Sequence, residues 1–256
     1  MIIDSHVHVQ LARGPDAVVD ELVECMQRVG IDRTCLMRLG TGQSATAGEA
    51  LVIETAEHAV RSVERYPGKF YPMLWLDPRL PVDFLEGVVR RYIVEGPICG
   101  VKLSLQMNAR DPRLEPLAGL LEQEDIPVLF HSWYKTVQKY TFESDPSDIA
   151  DLASRFPRLR VLVAHITGGR FRGIQDILPH PNLFLDTSGS QPEDGYLAYG
   201  LEHLGEDRIL FGSDYPGRDL ATQLGRIRSV EMSDEVREKV LWRNAVRFYE
   251  GGHGDA

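Results

Sequence analysis

The sequence predicts an α/β protein: a single (β/α)8 TIM barrel with an extra C-terminal helix. Three observations point there. Short, continuously apolar runs alternate with amphipathic stretches from one end of the chain to the other, the mark of parallel strands joined by helical crossovers. The length of 256 residues suits one such barrel, which commonly takes about 250. Polar residues close several of the apolar runs, at the strand ends where barrel enzymes keep their sites. An open doubly wound sheet shares the alternation. However, no G-x-G-x-x-G follows the first run and no G-x-x-x-x-G-K-[ST] occurs anywhere.

The elements follow in order. Residues 2–8 form the first strand, and a helix over 16–29 carries Val18, Val19, Leu22, Val23, Met26 and Val29 on one face. A second strand spans 33–37. A glycine-rich loop, 40–48, leads into a long helix over 49–65. The third strand is 70–76, and Pro81 opens a helix with Phe84, Leu85, Val88, Val89 and Tyr92 inward. The fourth strand is 98–103. Asp111-Pro112 is an N-cap followed by proline at the first helical position. The fifth strand, 127–130, precedes a helix opened by Asp145-Pro146; strands six, seven and eight are 161–164, 183–185 and 209–211. Helices lie near 170–178, 194–204 and 219–229, and a last helix over 234–249 is capped by Ser233. No linker divides the chain, so residues 1–250 read as one domain and 251–256 as a disordered tail.

The formal net charge of −10 argues against a nucleic-acid surface and mildly against anionic membranes. A local cation or metal would still admit an anionic substrate. Cys25, Cys35 and Cys99 are odd in number and scattered, which reads as small core residues in a reducing compartment. The first residues have neither a basic nor a long apolar region, and no run reaches the length of a membrane span. The expected location is cytoplasmic and the expected partner a small-molecule substrate. A homodimer is the first candidate assembly because dimers are the commonest oligomers.

The chemistry gathers at the strand ends. His6 and His8, two apart on the first strand, point to one side of the pleat. His131 ends the fifth strand, His165 the sixth, Asp214 follows the eighth, and Lys102 lies near the end of the fourth. In a barrel these ends converge on one mouth. One H-x-H or one terminal histidine is weak evidence. Four of the eight histidines at three strand ends, with an aspartate at another, is poorly explained by chance. Imidazole and carboxylate suit zinc, iron or manganese, and a catalytic ion activates a bound water. Asp214 is placed to take that water's proton. His58, His180, His203 and His253 carry no such reading. Asp4, two residues before His6, is either a partner orienting a histidine or a buried cap.

The segments Ile3-Asp4-Ser5-His6-Val7-His8, Gly100-Val101-Lys102-Leu103, Pro127-Val128-Leu129-Phe130-His131, Leu162-Val163-Ala164-His165, Leu185-Asp186-Thr187-Ser188 and Ile209-Leu210-Phe211-Gly212-Ser213-Asp214-Tyr215-Pro216, with Asn244-Ala245 in the last helix, resemble the amidohydrolase superfamily, in its amidohydrolase-related branch. The resemblance spans nearly the whole chain. It implies that His6, His8, His131 and Asp214 hold one divalent ion, zinc by expectation, with His165 ligating or polarising the substrate beside it. It also points to Lys102 as a catalytic position with three open readings: a carbamate bridging two ions, a cation for a substrate carboxylate, or the partner of an acidic neighbour.

The branch contains hydrolases and decarboxylases. The expected activity is hydrolysis of a small ester, lactone or amide by a metal-activated water, with Asp214 as proton acceptor and His165 polarising the carbonyl. The alternative is nonoxidative decarboxylation of a small carboxylic acid, aromatic acids included, on the same ion; a metal-free binding barrel stands third. The pocket is expected to be shaped by the loops over 38–47 and 132–145. Trp133 and Tyr134 are candidates to stack on a ring, and Lys135, Arg170 or Arg172 to bind an anion.

Overall fold

Eight parallel strands follow one another around a barrel in the computed structural model, which describes residues 1–9, 14–39, 48–135, 140–190 and 194–251. The strands are β1 (Ile3–Asp4), β2 (Arg33–Leu36), β3 (Phe70–Trp75), β4 (Gly100–Leu103), β5 (Val128–Phe130), β6 (Val161–Val163), β7 (Leu183–Asp186) and β8 (Ile209–Leu210). Between them run α1 (Pro15–Val29), α2 (Glu49–Arg65), α3 (Val82–Val89), α4 (Glu115–Gln123), α5 (Pro146–Arg155), α6 (Ile166–Ile177) and α7 (Tyr196–Leu204). After β8 come α8 (Leu220–Ser229), α9 (Asp234–Glu238) and α10 (Asn244–Glu250). The loop expected over 40–47, Lys139, and the tail residues 252–256 lie outside the described residues.

Every residue of β3 to β8 is buried, because helices cover the outside and side chains fill the inside. That is why those strands read as apolar runs rather than alternating ones. The register places Lys102 opposite Trp75 and Leu129, and Asp186 opposite Leu210. Closure between the first and last strands distinguishes the barrel from an open sheet. Ser5 N donates to Phe211 O at 2.8 Å, Asp214 N to His6 O at 2.7 Å, and His8 N to Tyr215 O at 2.7 Å.

The first strand is shorter than its apolar run. The Asp4 carboxylate accepts from His6 N at 3.1 Å and from Ser213 N at 2.9 Å, taking over from strand–strand bonds just past β1. Asp4 is thus the buried cap of the two sequence readings, stapling β1 to the segment after β8. The chain then rejoins the barrel through single bridges at Val7 and His8.

The helix caps follow the residues that signal them. Asp145 accepts from Ser147 N and Asp148 N while Asp148 reaches back to Asp145 N, a full capping box. Asp111 caps a single 3-10 turn, Pro112–Leu114, and Ser233 caps α9. The helix expected near 170–178 instead begins at Ile166, directly after β6, and breaks at Arg170 (φ 57°, ψ −166°). The last helix is interrupted by a π-helical turn, Lys239–Arg243, between α9 and α10. Among the described residues, no helix is long and apolar enough to cross a membrane.

Candidate metal centre and catalytic pocket

The strand ends deliver six polar side chains to one mouth, and the backbone bends to aim two of them. His165 (φ 71°) and Asp214 (φ 64°) both adopt left-handed conformations, which cost a side-chain-bearing residue roughly 1–2 kcal/mol. Each is held there by a bond at its own amide: His165 N donates to Asp186 Oδ1 at 2.9 Å, and Asp214 N donates to His6 O. Strain fixed by such contacts is usual at functional sites.

His6, His8 and Asp214 form a group whose ligand atoms all lie within 4.8 Å of one another. The two Nε2 atoms are 3.0 Å apart, and Asp214 Oδ1 lies 3.3 Å from that of His8 and 3.8 Å from that of His6. Two bonds of about 2.1 Å to one ion produce such nitrogen spacing at an angle near 90°. Asp186 fixes the donor atom of His6. Burial alone would raise its carboxyl, but His6, His165 and Ser188 hold it well below the ordinary carboxylate range. The carboxylate therefore accepts from His6 Nδ1 at 2.7 Å, which leaves the lone pair of Nε2 facing His8 and Asp214. Burial, assisted by His6 and Lys102, pushes His8 down to about 4 against the pull of Asp214. The imidazole is thus neutral, as a ligand must be. The donor set fits a divalent metal.

A second group, His6, His165 and Asp186, is equally compact. Its carboxylate is already occupied: Oδ1 accepts from His165 N, Ser188 N and Ser188 Oγ, and Oδ2 from His6. Asp186 orients ligands rather than serving as one.

His131 joins neither group. Its Nδ1 lies 3.2 Å from His165 Nε2, and its Nε2 lies 2.9 Å from Glu143 Oε1. Glu143 is fully buried and is held from the other side by Lys135 Nζ at 2.8 Å. Ser188 Oγ closes the far end of the pair, 2.8 Å from His165 Nδ1. The imidazoles of His6 and His165 stack at 4.9 Å, so the relay Lys135–Glu143–His131–His165–Ser188 runs directly beside the metal group. Burial depresses both His131 and His165.

Lys102 is buried at 1% exposure, and its Nζ has no hydrogen-bond partner among the described residues. Burial lowers it to about 8, against the attraction of Asp186 and Asp214. A desolvated ammonium without a hydrogen-bond partner is costly. Here it faces a cavity of about 390 Å³, lined also by His8, His131, His165 and Asp214. Trp133, Leu39 and Leu105 supply apolar wall, and Ser104, Ser190, Lys135 and Arg218 polar edge. The Trp133 ring lies 5.3 Å from His165, tilted by 54°. It packs so closely on α6 that a Cβ on Gly168 would meet Trp133 Cε3 at 2.8 Å.

Of the substrate residues expected from sequence, Trp133 lines the cavity. Tyr134 and Arg170 do not. The Tyr134 hydroxyl bonds Asp176 on α6 and its ring lies under Arg172 at 4.5 Å, while Arg170 is exposed at the α6 break. Asp186 and Ser188 enter the sequence reading only within a family segment, without a role, and Glu143 and Arg218 escaped it. Asp186 carries the same strand-end signal as His131; Glu143 lies mid-loop, where no signal marks it.

The barrel and its convergent histidine–aspartate mouth define a metal-dependent enzyme. A family model described as Amidohydrolase matches residues 3–251, and the chain belongs to that family. Among solved structures, the chain is similar to 5-carboxyvanillate decarboxylase from Sphingomonas paucimobilis at 17% identity, covering 97% of this chain and 98% of that one with a TM-score of 0.77. A 5-carboxyvanillate decarboxylase from Novosphingobium aromaticivorans, complexed with manganese and 4-hydroxy-3-methoxy-5-nitrobenzoic acid, matches at 14% identity, 98% and 96% coverage and a TM-score of 0.80. The 4-oxalomesaconate hydratase from Rhodopseudomonas palustris matches at 16% identity, 98% and 96% coverage and a TM-score of 0.70. At these identities the likeness establishes a shared fold.

Proposed function

We propose that the protein is a nonoxidative decarboxylase of a small aromatic carboxylic acid, using one divalent ion held by His6, His8 and Asp214. The observation that carries this reading is the buried, unpartnered Lys102 ammonium, which opens into the same cavity as the metal group and Trp133. A site that joins a desolvated cation to an aromatic wall is complementary to an aromatic anion. Solved structures of similar fold include decarboxylases of such acids, and this likeness supports decarboxylation over the hydrolysis that the sequence alone puts first.

When bound, the ion supplies Lewis-acid attraction for the substrate's oxygen atoms; manganese and zinc both accept these nitrogen and oxygen donors. The protein's own side chains do the rest. Lys102 pairs with an anionic oxygen of the substrate. Trp133, with Leu39 and Leu105, stacks the ring and excludes water from it. Loss of carbon dioxide breaks the ring-to-carboxyl bond and leaves its electron pair on the ring carbon, which then takes one proton. The His131–His165 pair takes up one proton from solvent between its inner nitrogens, His131 Nδ1 and His165 Nε2, and passes it to that carbon, with Glu143 and Ser188 fixing the two outer nitrogens. Asp214 is not the donor: although burial would raise its carboxyl, His8, His6 and His165 hold it well below the ordinary range, as an anion.

Hydrolysis of an ester, lactone or amide is the second reading. The position of Lys102 and its lowering to about 8 favour it, because a neutral amine is what carbamylation, and so a second ion, requires.

The test incubates metal-loaded protein in D2O with 2,6-dihydroxybenzoate and 5-carboxyvanillate, beside a lactone and ester panel. Release of carbon dioxide with one deuterium placed on the vacated ring carbon is expected. Turnover confined to the lactones and esters would overturn the proposal in favour of hydrolysis.

A further inference from the structure

We propose that the cavity continues into a second, anion-binding subsite made by Arg218 and Arg226, and that the substrate is an aromatic dianion spanning both. This deepens the reading above and rests on it for the first carboxylate, the one at the metal group and Lys102. A cleft of about 130 Å³ lies between Gly189–Ser190, just after β7, and the first turns of α8, where Thr222, Gln223 and Arg226 face it. Ser190 and Arg218 line both this cleft and the metal cavity, so the two spaces adjoin. The region beyond the seventh and eighth strands is where barrels commonly bind a substrate's anionic end.

Neither guanidinium in the cleft is held in a direct ion pair among the described residues, whereas Arg38, Arg65, Arg79, Arg110, Arg113 and Arg155 each have one. The Asp186 carboxylate acts on Arg226 only from beyond ion-pair distance. Among the described residues, Arg218 Nε is buried without a hydrogen-bond partner, and that side chain's hydrogen bond goes to the adjacent Gly217 carbonyl. Arg226 Nη1 donates to Gln223 Oε1 at 2.7 Å, and Gln223 Nε2 donates to Gly189 O at 3.2 Å. Gln223 therefore pins the Arg226 guanidinium to the cleft floor while leaving its other N–H groups free for a ligand. Burial pushes Arg226 downward in pKa against the attraction of Asp186, whose carboxylate is already bonded to His6, His165 and Ser188. The one acid in the cleft, Asp219, is committed as the N-cap of α8, accepting from Thr222 N at 2.8 Å and Thr222 Oγ1 at 3.0 Å. Two guanidinium groups without a direct ion pair match a carboxylate, which arginine binds by paired N–H···O bonds.

Isothermal titration of the manganese-loaded protein tests the subsite without requiring turnover. The probes are benzoate, isophthalate and the longer 3-carboxyphenylacetate, titrated into the wild type, Arg226→Gln, Arg226→Lys and Arg218→Gln. In the wild type, at least one of the two dianions is expected to bind about tenfold or more tightly than benzoate, the usual gain from one charge-assisted carboxylate contact. The preference should vanish in Arg226→Gln and Arg218→Gln and survive in part in Arg226→Lys, with benzoate affinity unchanged in the two Arg226 variants as the sign of an intact pocket. Equal affinity for all three probes in the wild type, no binding of either dianion, or a preference that survives both glutamine variants would overturn the proposal. A protein that prefers the dianion yet releases no carbon dioxide would overturn the decarboxylase reading alone. Decarboxylation of monoanions without any dianion preference would overturn the subsite alone.

Discussion

Asp186→Asn separates metal binding from folding. The carboxylate accepts four hydrogen bonds, from His6 Nδ1, His165 N, Ser188 N and Ser188 Oγ, in a fully buried setting. Asparagine keeps one oxygen, enough for the three donors now at Oδ1. Its amide group then faces His6 Nδ1 as a donor, so Nδ1 has to become the acceptor and the His6 proton moves to Nε2. That proton occupies the lone pair the metal needs. Loss of such a carboxylate–histidine contact typically weakens metal binding about 10- to 100-fold. The metal-free protein loses only the charge-assisted part of one hydrogen-bond set, about 1–3 kcal/mol. Competition for zinc and manganese against a chromogenic chelator measures the first effect, and urea unfolding of the metal-free protein the second. Wild-type metal affinity in a folded Asp186→Asn protein would refute the orienting role of Asp186 and the tautomer assigned to His6.

Three further outcomes are expected. Glu143→Gln should lower kcat about 10- to 100-fold with little change in metal content, because the His131 Nε2 proton loses its anionic acceptor; unchanged kcat would remove the His131–His165 pair as proton donor. Lys102→Met should stabilise the metal-free protein by about 1–3 kcal/mol, since an unpartnered buried ammonium gives way to an apolar side chain, while abolishing benzoate binding; destabilisation with binding intact would contradict both roles. Asp4 sets a pH dependence in the metal-free protein. Burial raises its carboxyl to about 7, against the opposing bonds from Ser213 and His6. The folded state then holds this proton more tightly than the unfolded one, so stability is fully present below about pH 4 and is lost as pH rises toward 7, by no more than about 4 kcal/mol. Asp4→Asn should flatten that slope between pH 5 and 8 in urea melts; an unchanged slope would clear Asp4 of it.

Much of this site is legible in the sequence because a strand end is legible. His6, His8, His131, His165 and Asp214 each follow an apolar run, and parallel strands in a barrel bring such positions to one mouth. The same rule applies to Asp186, whose role nonetheless needed coordinates, since the run does not say which carboxylate turns to a ring nitrogen and which to the ion. Glu143 was beyond reach: it arrives from a loop 12 residues past His131, and loops carry no periodicity. Loop direction also explains Tyr134, which adjoins Trp133 in the chain yet turns outward to α6 while Trp133 turns inward. The helices were legible by their caps, Asp111, Asp145 and Ser233. The break at Arg170 and the π turn before α10 leave no composition signal.

The metal group can be tested most directly by elemental mass spectrometry of untagged protein, as ions per chain, with His6→Ala/His8→Ala and Asp214→Ala as controls. About one divalent ion per wild-type chain, lost in both variants, is expected from the convergence of His6 Nε2, His8 Nε2 and Asp214 Oδ1. A full complement of metal retained in both variants, or none in a wild-type protein that still turns over substrate, would contradict it.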